Sequence, residues 1–104
     1  MMNNETKRVN LVFGSRNTGN GEVVALNSRL KQFSAYFDGD GDGATVEVRQ
    51  SIDGTVEKSV VVATLTMTAE SPFDFTPVME SLMPYYFTRV TAIDGGAVTV
   101  FGDF

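Results

Sequence analysis

Apolar and polar residues alternate most regularly over residues 44–52, where Val46, Val48 and Ile52 share one parity and Glu47 and Arg49 the other. A period of two places one set of side chains on each face of an extended chain, so this segment predicts a half-buried β-strand. Residues 58–68 are rich in Val and Thr, whose branched Cβ atoms pack well on a pleated surface. Between them stands Asp53-Gly54, and because glycine readily takes positive φ, the pair predicts a β-hairpin. The C-terminal segment repeats the arrangement, with strands at residues 85–93 and 97–101 joined by a predicted turn at Asp94-Gly95-Gly96. In the first of these, Tyr86, Thr88, Val90 and Ala92 share one face, and Tyr85, Phe87, Arg89, Thr91 and Ile93 the other. Both faces carry apolar groups, as in a strand buried on both sides or covered by a partner.

Three further short strands are expected at residues 9–13, 22–26 and 31–37, separated by the Gly-, Asn- and Ser-rich stretches 14–21 and 27–28. Residues 76–83 break the pattern. Thr76 can cap a helix, Pro77 suits its first position, and Val78/Leu82 and Met79/Met83 fall at i, i+4 spacing before Pro84. One or two helical turns crossing between sheets are predicted there, with an extended strap as the alternative. The expectation is an all-β fold: a single antiparallel β-sandwich of about seven strands over residues 9–104, with one short helical crossover. A flexible arm of residues 1–8 precedes it. No internal repeat points to a solenoid.

Composition agrees with one domain. The chain has 104 residues, 42% hydrophobic and 20% charged, enough for one core without covalent staples. Cysteine and histidine are both absent. That removes disulfides, thiolate nucleophiles, thiolate-bound zinc and every Ser–His or Cys–His pair. The remaining carboxylates, lysines and tyrosines show no convergent spacing, so neither an enzyme nor a cofactor is expected. No apolar run approaches the roughly 20 residues of a membrane span, the longest being residues 60–63, and residues 1–10 lack the apolar centre of a secretory signal. Neither a membrane nor nucleic acid is an expected partner. The net charge is −5, and it is unevenly spread. Through Phe37 five basic residues face two acidic ones, whereas from Asp38 onward three face eleven. An acidic body disfavours phosphate contacts. A mildly basic leading third permits an arm that meets an acidic surface, or is a plain solvated tail.

Candidate chemistry is sparse. Asp38-Gly39-Asp40-Gly41-Asp42-Gly43 opens like a calcium loop, but the twelfth position, where a bidentate glutamate is needed, is Arg49 and Glu47 falls at the tenth. The six residues are read as a flexible acidic hairpin tip without tight calcium binding. Tyr36, Tyr85 and Tyr86 lie in predicted strands, where packing is the ordinary use of an aromatic; a sugar-stacking platform is the other. The tail Val100-Phe101-Gly102-Asp103-Phe104 is apolar at its last position, with little chain to bury it, which favours folding back or packing on a neighbouring subunit.

The succession Ala44-Thr-Val-Glu-Val-Arg-Gln-Ser-Ile-Asp-Gly54, a Val/Thr strand, Pro84-Tyr-Tyr-Phe-Thr-Arg-Val-Thr-Ala and Gly-Gly-Ala-Val-Thr-Val resembles small β-sandwich virion proteins of tailed bacteriophages. These include head decoration or cement proteins and neck or tail components. The resemblance spans residues 33–100 and departs at Val56, where an aromatic is usual, and at residues 76–83. It implies a location in the virion and a capsid-stabilising function through many copies of a modest interface. A tail, neck or baseplate component and a carbohydrate- or partner-binding accessory module are the alternatives. It further implies the major capsid protein or another virion protein as partner, and a homo-oligomer, with a trimer favoured. Lys7, Arg8 and Arg16 would tether the arm to the shell, and Phe101 and Phe104 would supply apolar contact.

Overall fold

The computed structural model describes residues 8–25, 29–80 and 83–103. In chain order the strands are β1 (Arg8–Ser15), β2 (Gly19–Asn20), β3 (Val24–Ala25), β4 (Leu30–Ser51), β5 (Ser59–Thr68), β6 (Phe73–Phe75), β7 (Met79–Glu80) and β8 (Tyr85–Asp103). All pairings are antiparallel. One sheet of eight strands carries them in the order β1-β8-β4-β5, with β2 and β3 added to β8, and β6 and β7 added to β4. The all-β expectation holds. The ladder joins every strand into one sheet rather than into the two sheets of the expected sandwich.

Two long strands make the framework. β4 and β8 run side by side from Gln32 opposite Asp103 to Ser51 opposite Tyr85. Seventeen residues separate Phe33 from Gln50 along β4, about 55 Å of straight strand at about 3.3 Å per residue. Yet Phe33 and Tyr86, the latter lying beside Gln50, bring their ring centroids to 5.5 Å. The sheet therefore folds over on itself. Phe33, Ala35, Phe37, Val98 and Val100 from one half enclose a core with Val46, Val48, Leu65, Met67 and Tyr86 from the other, all at most 5% exposed.

The bend corrects two expectations at once. Asp38–Gly43 is not a hairpin tip, and Asp94-Gly95-Gly96 is not a turn: both lie inside long strands, opposite each other. The register jumps from Gly39 opposite Gly96 to Gly43 opposite Asp94, so β4 bulges outward and both strands bend together. Gly41 allows the closest approach, because a Cβ there would overlap the carbonyl oxygen of Asp94. Gly43 combines φ of 124° with a Cβ direction aimed into the Met67 carbonyl, a position that only glycine fills without strain.

The helix expected at residues 76–83 is absent from the described residues. Thr76 is engaged by the ladder instead of capping a helix: its hydroxyl oxygen accepts from the Phe33 amide at 3.1 Å, and its own amide donates to the Phe33 carbonyl at 2.8 Å. β7 then pairs with Leu30 and Lys31. Backbone groups committed sideways to β4 are not available for bonds along a helix. No helix among the described residues is long and apolar enough to cross a membrane.

The expected hairpin between β4 and β5 is present, closed by Ser51 opposite Ser59. Asp53 organises its loop. Its carboxylate accepts from the Thr55 hydroxyl at 2.7 Å and the Thr55 amide at 3.0 Å, and Ser51 Oγ lies 3.2 Å away. These bonds, Thr55's first, hold the Asp53 carboxyl below its ordinary pKa, outweighing a small desolvation effect. A depressed carboxylate contributes stability that is present above its unfolded pKa, about 3.9, and fades as pH falls through the lower folded value. Asp53→Asn will therefore be less stable than the parent at pH 7, and urea unfolding will show the gap narrowing progressively as pH falls below about 4. A gap that stayed constant over this range would assign the loss to geometry alone.

Candidate functional site

Inward and outward positions alternate along the first half of β4. Phe33, Ala35 and Phe37 fill the core, so Ser34 and Tyr36 face out. Lateral pairing extends that outer face: Tyr36 lies beside Phe73 on β6, and Ser34 lies between Phe75 and Phe101 on β8. The rings meet. Tyr36 and Phe101 stack at 6.2 Å with planes 30° apart, and Phe73 and Phe75 contact at 5.8 Å. A strip of four aromatic side chains thus crosses β8, β4 and β6 on the outside of the sheet. Tyr36 is 39% exposed, Phe73 54% and Phe75 57%. Burying a large apolar ring is favourable by about 1.5–3 kcal/mol, so a contiguous exposed strip marks a contact surface.

Charged groups at the margins of this strip are internally satisfied. Arg8 opens β1 opposite Asp103, donating from Nε to Oδ1 at 2.8 Å and from Nη2 to Oδ2 at 3.2 Å. Its guanidinium also lies 4.9 Å from the centroid of the Phe101 ring, a cation–π contact. Hydrogen bonding and the charge of Asp103 raise the pKa of Arg8 above its already high value, so it stays charged. Asp74, between the two phenylalanines, accepts from the Thr66 amide with Oδ2 and from the Phe75 amide with Oδ1, both at 2.9 Å. The first bond ties β6 to the edge of β5.

The sequence-derived candidates fall in different places. Arg8 and Phe101 come together as described. Arg16 is exposed just beyond the other end of β1, about 25 Å of strand from Arg8, so these two cations form no common patch. Lys7 and Phe104 lie outside the described residues, as does the rest of the arm. Asp38, Asp40 and Asp42 are exposed along the bend, and the Asp42 amide points to Asp94 Oδ2 at 3.4 Å. No group of three or more carboxylates positioned to hold a metal ion occurs among the described residues. Tyr86 is buried, and its hydroxyl donates to Gln50 Oε1 at 3.4 Å. Lys31 is likewise buried, with Nζ 5.1 Å from the Tyr86 ring centroid and a pKa lowered by desolvation.

Sequence reasoning missed Phe73 and Phe75. The available signal was Phe73-Asp74-Phe75 itself, where alternation puts both rings on one side of even a three-residue strand.

No family model matches the sequence, and none of the curated proteins matches it. Solved structures do share the fold. The PBSX exported protein XepA matches with a TM-score of 0.62 at 15% identity, over 96% of this chain and 36% of XepA. This chain thus spans about a third of XepA. A protein of Bacillus endospore appendages, described as disulfide-linked pili, matches with a TM-score of 0.51 at 10% identity, over 95% of this chain and 82% of that one. SPBc2 prophage-derived protein YomS gives 0.49 at 15% identity, covering 95% and 91%. At these identities the likeness is one of fold. The chain is an all-antiparallel β domain of the fold found in XepA.

Proposed function

We propose that this chain is a structural protein of a bacteriophage particle, most specifically a decoration or cement protein that binds and stabilises the capsid shell. The observation that carries the reading is the XepA-like fold extending over 96% of the chain. The lateral stacking of Arg8 and Tyr36 around Phe101 leaves less ring face for a sugar than an open platform would, which favours a protein partner.

Purified particles of the source phage should contain the chain by mass spectrometry, and added protein should cosediment with capsids that lack it and raise their resistance to heat. Recovery only with isolated tails would move it to a tail, neck or baseplate component. Absence from particles, with binding on a glycan array, would replace the virion reading altogether.

A further inference from the structure

We propose that the strip formed by Tyr36, Phe73, Phe75 and Phe101 is the contact face for a second copy of this chain, packed about a two-fold axis. The inference does not depend on the virion reading, because it concerns only what two copies do in solution. Its first support is area. Three rings about half exposed, at roughly 200 Å² each, present roughly 300 Å² of apolar surface per copy. That is a substantial part of the apolar area in an interface burying about 800 Å² per partner.

The second support is charge. Two copies of a chain with net charge −5 repel each other wherever free carboxylates meet. At the strip, Asp103 is paired with Arg8 and Asp74 is held by two backbone amides, while Asp38, exposed two residues beyond Tyr36, leads into the bend with Asp40, Asp42 and Asp94. Each copy thus brings one neutralised and one hydrogen-bonded carboxylate to the strip, fewer free charges than the bend carries. A strongly basic partner would find its complement at the bend instead. The rings are also held in place by lateral pairing of β6 with β4 and by the Phe101 contacts, so little ordering entropy is lost on association.

The competing surface is the outer edge of β5, where Val60 and Val61 are exposed. There the register passes from Val48 opposite Ala63 to Arg49 opposite Val61, leaving Val62 as an extra residue. A bulge of this kind turns an edge away from further strand pairing.

Sedimentation equilibrium of the full chain over a range reaching about 1 mM tests the proposal. A monomer–dimer equilibrium is expected. It should tighten with added salt, because screening weakens repulsion between acidic copies while the apolar contact persists. Phe73→Ser/Phe75→Ser should raise the dimer dissociation constant at least about tenfold with an unchanged far-UV CD spectrum; Phe75→Lys alone serves if the double variant does not fold. Val61→Lys should leave dimerisation intact. A monomer throughout, weakening by salt, loss of the dimer in Val61→Lys only, or a trimer or larger assembly would each overturn the proposal. Loss of capsid cosedimentation in the phenylalanine variants of a strictly monomeric parent would assign the face to another virion protein.

Discussion

Gly43→Ala will cost the fold about 3 kcal/mol or more, close to the upper end for a single exchange in a small domain. Two effects add at this position. A φ of 124° is unfavourable for any residue with a Cβ, and that Cβ would point into the Met67 carbonyl of the neighbouring strand. The obstruction is backbone of a paired strand, so relief requires moving the β4–β5 ladder at Gly43 opposite Thr68. Thermal unfolding followed by far-UV CD should show a fall in Tm of roughly 12 °C or more. An exposed hairpin tip tolerates the same exchange with little change. A loss under about 1 kcal/mol would mean that the bend is not where glycine is required.

Phe33→Ala should cost about 3–5 kcal/mol, since it removes a fully buried ring at the meeting of the two halves of the sheet. Its ring contacts Tyr86 across the core, while its amide and carbonyl both bond Thr76. The backbone bonds survive the substitution, so the loss reads mainly the cavity and the lost ring contact. Phe33→Leu, closer in volume, should lose about 1.5 kcal/mol or less. Tyr36→Ala, three residues further along β4 and facing out, should also stay below about 1.5 kcal/mol. If Tyr36→Ala proved the more damaging in urea unfolding, the inner and outer faces of β4 would have to be exchanged, and with them the aromatic strip.

These two experiments address what was readable in the sequence and what was not. The alternation of Val46 and Val48 with Glu47 and Arg49 identified a strand with the correct inner face, because a period of two is a local property of the extended chain. Asp53-Gly54 identified the loop for a similar reason, as the bonds of Ser51, Asp53 and Gly54 there run among residues within four positions of one another. Thr76 misled because a hydroxyl that can cap a helix can equally accept an amide from another strand. Its partner, Phe33, is 43 residues away.

The bend shows the division most clearly. Asp-Gly steps at residues 38–43 and 94–96 are read locally as turns, since each favours a change of chain direction. Whether a chain reverses at such a step or continues past it depends on what lies alongside, and here each segment is the other's neighbour. The outer strip depends on distance in the same way. Phe73 and Phe75 become a surface only when β6 is laid against Tyr36, and Phe101 joins them from the far end of the chain. By itself the sequence determined an all-β chain, the strand around Val46 and Val48 with its inner face, the Asp53 hairpin, and the lack of histidine and cysteine. Only the tertiary structure decided that two supposed turns are one bend and that four scattered aromatic residues form one face, because both rest on contacts between residues distant in the chain, which no local preference encodes.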